Sequence, residues 1–178
     1  VATDLTEAIA TPAAIDFIDT RTLTPGQSYT VSGSYSREAA FNSAMGFYRL
    51  LDLSGAVRDP LTGNVVAPGD SGYTEAALHD SNRLLDANAT LTAENLQTAR
   101  FSFDILGGEL YAPFLRVNVE DANSIDRVYF AFGAANSDGV NHAAKLGSNV
   151  IGFEDLEGGG DRDFDDVILR FSIAETSV

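Results

Sequence analysis

The sequence predicts a mainly β fold: a β-sandwich with a few short peripheral helices and cation-binding loops at one end. Three observations carry that expectation. After residue 100, apolar residues recur at every second position in several separate runs, the period of a strand with one buried face. Gly, Asn and Asp punctuate those runs, as they do where a chain turns between strands. Aromatic residues make up 10% of the chain, which suits a β-rich core.

The elements follow in order. LTEAIATP opens with a helical turn broken at Pro12, and the chain then runs extended. A Pro-Gly turn precedes SYTVSGSY, where Tyr29, Val31, Gly33 and Tyr35 alternate with small polar residues as in a strand. REAAFNSAMGFYRLLDL reads as a short helix followed by a strand through GFYRLLDL, and DPLTGN and APGDSG read as turns. TEAALHDSNRLL spaces Ala76, Ala77, Leu84 and Leu85 roughly as a helix would, with Glu75 in the first turn, and LTAENLQTA is a second, weaker helical stretch. RFSFDIL, LYAPFLRVNV, DRVYFAFGAA, SNVIGFEDL and DVILRFSIA are five strands.

With 178 residues and no internal repeat, the chain is expected to form a single domain over 1–178, residues 1–40 being either an edge strand or a linker segment. VATDLTEAIATP lacks the basic and apolar regions of a signal peptide, and Val1 in place of an initiator methionine suggests a piece of something longer. A net charge of −15 argues against nucleic acid and anionic membrane as partners and favours cations. The chain has no cysteine, hence no disulfide and no thiolate metal site, and no run approaches the length of a membrane span.

Glu154 to Val167, EDLEGGGDRDFDDV, packs seven carboxylates around Arg162, the stretch's one basic residue. Such crowding is either a splayed, solvated loop or a cation site, since like charges about 4 Å apart repel by roughly 1 to 4 kcal/mol. Asp161, Asp163 and Asp165 at alternate positions can turn oxygens toward one centre, and Gly158 to Gly160 allow a sharp reversal that frees carbonyls as ligands. Glu154 and Asp155 approach from the other side. An EF-hand would need Gly where Asp166 stands and Glu where Ser172 stands, so this is not one. Oxygen donors without cysteine favour Ca²⁺ over zinc. The candidate metal ligands are therefore Glu154, Asp155, Gly160, Asp161, Asp163, Asp165 and Asp166, with Phe164 facing away to plug the core. Asn136, Asp138 and Asn141 form either a turn alone or a further set of oxygen ligands at the same end. His142 reads as a residue hydrogen-bonding the loop backbone, and His79 as a surface or packing residue.

The segment YFAFGAANSDGVNHAAKLGSNVIGFEDLEGGGDRDFDDVIL, together with the upstream MGFYRLLDLSGAVRDPLTG, resembles a bacterial extracellular family long listed as a domain of unknown function, whose hallmark is GFEDL, a glycine-rich reversal, then GDxDF[ND]D. Members occur in repeats-in-toxin adhesins, near the outward end of a long calcium-stiffened stalk. The resemblance implies a calcium-dependent ligand-binding module of a large bacterial surface adhesin, monomeric within a long multidomain chain and extracellular at the cell surface. It implies that Asp161, Asp163, Asp165 and Asp166 are calcium ligands completed by Glu154 and Asp155. Asn136, Asp138 and Asn141 would read the rest of the ligand. The ligand that the resemblance implies is a peptide, its terminal carboxylate the expected handle, on a host or neighbouring cell. The alternatives are a glycan held through vicinal hydroxyls, or a purely structural calcium staple.

Catalysis is not expected. The sequence has no Gly-x-Ser-x-Gly elbow, no His-Glu-x-x-His and no cysteine nucleophile, and a carboxylate bound to calcium is held ionised, the wrong state for a general acid.

Overall fold

A computed structural model describes residues 14–39, 41–84, 91–117 and 127–177. The strands in chain order are β1 (Ile18–Asp19), β2 (Ser28–Arg37), β3 (Ser43–Arg49), β4 (Val57–Arg58) and β5 (Val65–Val66). After the helix α1 (Tyr73–Ala77) come β6 (Leu91–Thr92), β7 (Gln97–Leu106), β8 (Leu110–Val117), β9 (Val128–Phe130), β10 (Ala143–Gly147), β11 (Val150–Phe153) and β12 (Val167–Glu175). The fold is mainly β, as the alternating runs predict.

Two antiparallel five-stranded sheets carry the molecule. One orders its strands β1-β8-β3-β6, with β9 also on β8; the other runs β10-β11-β12-β2-β7. They face each other across one core, to which the first contributes Met45, Phe47 and Leu115 and the second Val31, Tyr35, Phe153, Val167 and Leu169. β2 shows why its sequence alternates: Tyr29, Val31 and Tyr35 are buried, while the serines between them face outward. Gly33 breaks the inward series because a Cβ there would stand 1.8 Å from the Arg170 carbonyl oxygen.

β8 is buried along its whole length, Arg116 included, rather than on alternate residues. Its second face packs under a smaller layer built from α1 and the β4–β5 hairpin, where Tyr48, Tyr73, Phe114 and Phe130 form a second core. The Tyr73 hydroxyl donates to the Gly55 carbonyl at 2.6 Å, anchoring that layer. Among the described residues no helix is long and apolar enough to cross a membrane.

Several local expectations are corrected. LTAENLQTA is not helical: Leu91 and Thr92 pair with Met45 and Ala44, the chain turns at Leu96 with φ +61°, and Gln97 starts β7. Asn95 decides this, because its side-chain oxygen accepts from the Ala39 N–H and turns the chain where a helix would have to continue. The helix in TEAALHDSNRLL ends at Ala77, since Asn82 donates to the Ala76 and Arg58 carbonyls and returns the chain to β3. REAAF forms no helix in its described part, and β3 stops at Arg49, where Asp52 closes a turn on the Ser54 N–H. The strand through DRVYFAFGAA stops at Phe130, and Gly133–Ala135 make a 3-10 turn. The opening helical turn before Pro12 and the end of LYAPFLRVNV lie outside the described residues. Residues 14–39 supply edge strand β1 and interior strand β2.

Candidate metal centre

One end of the sandwich gathers the acidic loop. β11 ends at Phe153, which pairs with Ala143 on one side and Val167 on the other, and Val167 pairs in turn with Arg37. The β9–β10 loop, the β11–β12 loop and the turn after β2 therefore emerge together.

Within the β11–β12 loop, Glu154, Asp161 and Asp163 each place one carboxylate oxygen so that the three lie within 4.8 Å of one another, and this cluster could hold a metal ion. Backbone conformation brings them there. Gly158, Gly159 and Gly160 all have positive φ, and so do Arg162 and Phe164, so left-handed residues alternate with the aspartates and curl the loop back on Glu154. A bulky residue such as Phe at φ +58° is an outlier that its surroundings must hold, here through its N–H, which donates to Glu154 Oε1 at 2.6 Å. Gly160 has a second reason to lack a side chain: a Cβ would lie 2.3 Å from Glu154 Oε2. Gly152 is needed likewise, since a Cβ there would meet the Phe164 carbonyl oxygen at 2.0 Å.

The electrostatics suit a cation. Glu154 is 1% exposed, and among the described residues no arginine or lysine forms an ion pair with it, Asp161 or Asp163. Burial pushes the Glu154 carboxyl up to about 7, against the pull of the Phe164 N–H, and repulsion from Asp166, Asp161 and Asp163 adds to the rise. The side-chain interaction between Asp163 and Asp165 raises the Asp165 carboxyl and lowers that of Asp163. A divalent ion among these oxygens would relieve the repulsion that now falls on Glu154.

Successive residues of an extended chain face opposite ways, and this separates Asp155 from Glu154. Asp155 points toward the sandwich interior with Asp166, whose Oδ2 accepts from the Asp155 N–H at 3.0 Å. Burial, followed by the charge of Asp166, pushes Asp155 up to about 6, and its Oδ2 is buried with no hydrogen-bond partner among the described residues. The seven expected ligands thus divide: Glu154, Asp161 and Asp163 converge, Gly160 makes room for them, Asp165 stands exposed beside Asp163, and Asp155 and Asp166 form a separate pair.

The β9–β10 loop braces the acidic one. Asp138 Oδ2 accepts from the Gly158 N–H at 2.9 Å and contacts His142 Nε2 at 2.8 Å, while its Oδ1 accepts from the Val140 N–H. Burial alone would raise Asp138, yet the Gly158 N–H, the His142 imidazole and the Val140 N–H bring it down to about 2. His142, fully buried and stacked on Tyr129, reaches the Glu154 carbonyl through Nδ1, the backbone role expected of it. Asn136 is buried and its amide is consumed: it accepts from the Phe130 N–H and donates to the Phe130 and Val140 carbonyls. Asn141 is exposed at the mouth of an apolar cleft of about 330 Å³ lined by Ile15, Phe17, Ala131 and Phe132. That cleft joins segments more than a hundred residues apart, so no local signal announced it; Asp138's bracing role was equally hidden, its partner Gly158 lying twenty residues away.

No curated protein and no solved structure matches the chain. The model of one family does, over residues 84–174, a span that holds both loops and every residue of the metal cluster. The chain belongs to that family, described as a domain of unknown function (DUF4114).

Proposed function

We propose that the chain is a calcium-dependent ligand-binding module of a bacterial cell-surface adhesin, in which calcium on the acidic loop captures the terminal carboxylate of a peptide. The observation that carries this reading is the convergence of Glu154, Asp161 and Asp163 within 4.8 Å with no basic ion-pair partner among the described residues. Hard oxygen donors of this kind suit calcium, and the bound ion supplies a positive centre that an otherwise anionic surface lacks. The chain's own residues would hold the ion, keep the loop curled through Asp138 and Gly158, and leave the exposed rim of Asp161 and Asp163 open to ligand oxygens. The apolar cleft beside Asn141 favours a peptide over a sugar, because it offers room for an apolar side chain near the loop.

A structural staple is the second reading, favoured by the bond from Phe164 to Glu154, which closes the loop through a ligand. Calorimetry separates the two: the EDTA-stripped domain is titrated with calcium, then with peptides bearing free or amidated C-termini and with a sugar panel. Heat from calcium and from free-carboxylate peptides supports capture; heat from calcium alone supports the staple; no heat from calcium removes both readings.

A further inference from the structure

The outer face of the β7-β2-β12 strands carries a second feature, away from the acidic cluster. Register places Arg100, Ser34 and Arg170 side by side on three neighbouring strands, so the two arginine Cα atoms stand about 10 Å apart, two strand spacings. Ser34 separates them, so neither arginine faces a like charge directly and their mutual repulsion is largely screened at this distance. The chain has 11 basic residues against 26 acidic ones, and most of the basic groups are engaged. Arg21, Arg49, Arg83 and Lys145 form ion pairs, Arg37 and Arg58 donate to carbonyls, Arg127 lies over the Phe41 ring, and Arg116 also has a partner. Among the described residues only Arg100, Arg162 and Arg170 have no such engagement, and two of these three share one row.

Both arginines are exposed and flank a shallow cleft of about 480 Å³. The neighbouring row is Ser102, Ser32 and Ser172, and Ser32 and Ser172 face each other at 3.4 Å between their hydroxyl oxygens. The aromatic residues of β7, Phe101 and Phe103, turn the other way and pack on Phe47. This cleft therefore offers hydroxyls and two cations, with Phe101 and Phe171 also at its wall.

We propose that the Arg100–Ser34–Arg170 row is a calcium-independent binding face for a sparsely charged acidic glycan, the two guanidinium groups gripping one carboxylate while the serines meet neutral hydroxyls. A guanidinium fork matches a carboxylate geometrically, and flanking hydroxyls can donate or accept as the sugar requires. Sparse charge matters because the remainder of the chain is strongly anionic and repels every further ligand charge that lies within about one Debye length, roughly 8 Å at physiological salt.

The test uses the whole chain in EDTA at about 0.15 M salt, where the Debye length of about 8 Å screens the chain's net charge, with hyaluronan as the probe, dextran as its neutral counterpart and a Glu-Ser-Gly repeat peptide as the equally sparse non-sugar anion. Hyaluronan is expected to bind and dextran not to. R100Q with R170Q should weaken hyaluronan binding by about tenfold or more, while R21Q, which removes one exposed charge elsewhere, changes it less than about twofold. Circular dichroism and melting of the double variant confirm that it folds. Absence of hyaluronan binding, equal loss in R21Q, or equal or tighter binding of the Glu-Ser-Gly peptide would overturn the proposal, the last pointing to an acidic peptide instead. Because calcium is absent throughout, the result is independent of whether the acidic loop binds metal.

Discussion

Lowering the pH from 8 to 5 should uncouple calcium from the acidic loop, and the structure sets the size of the effect. Glu154 titrates at about 7 in the metal-free chain because it is buried among Asp166, Asp161 and Asp163. A calcium ligand must be ionised, so binding below that value displaces a proton. Apparent affinity should be nearly flat above pH 8, fall about tenfold at pH 6 and about a hundredfold at pH 5 from this one group. Stability of the metal-free chain should move the opposite way. A carboxyl whose folded pKa is raised binds its proton more tightly when folded, so its stabilising contribution is complete below the ordinary glutamate value, near 4.5, and is lost as pH rises through about 7. Asp155, raised to about 6, acts in the same direction. Calorimetric titration across this range, with melting curves in EDTA beside it, reads both trends, and Glu154→Gln should abolish the pH dependence near 7 along with most of the affinity. A calcium affinity constant from pH 5 to 8, or a metal-free melting temperature that climbs from pH 5 to 7, would refute the placement of Glu154 in the metal set.

Gly160→Ala should weaken calcium by at least about tenfold, since the new Cβ competes for the space of Glu154 Oε2 at 2.3 Å and sits at φ +48°; unchanged affinity by calorimetry would show that Glu154 is not a ligand. Asn136→Ala removes three bonds to buried backbone and should cost about 2 to 4 kcal/mol, lowering the melting temperature by roughly 4 to 16 °C; a shift under about 2 °C would make Asn136 a turn residue and no more. Asp138→Ala strips acceptors from Gly158, Val140 and His142 and should destabilise by about 3 kcal/mol in denaturant melts while loosening calcium; full stability would mean that the two loops are braced elsewhere.

The acidic loop was legible because its signal is local: glycines, aspartates at alternate positions and an apolar strand on either side lie within about twenty consecutive residues. β7 and β12 were legible for the same reason, period-two alternation being a property of one strand with one buried face, whereas β8 is buried on both faces. Errors fell where a side chain bonded backbone outside its own element, at separations from 6 to 56 residues. Asn95 on Ala39 turned a helical pattern into a turn and a strand, Asn82 on Arg58 cut a helix short, and Asn136 on Phe130 stopped β9 early.

By itself, then, the sequence determined the mainly β class, the oxygen-only character of the acidic loop that could hold a metal ion and the absence of thiol chemistry, because composition and short-range pattern suffice for each. Tertiary structure decided which carboxylates meet. Glu154 and Asp155 are neighbours in sequence with the same charge, yet one converges with Asp161 and Asp163 and the other is buried against Asp166, since consecutive residues of an extended chain point to opposite sides. It likewise decided that Arg100 and Arg170 share a row, because each pairs with Ser34 on β2, and register between strands so far apart in sequence is set by core packing, which no local stretch contains.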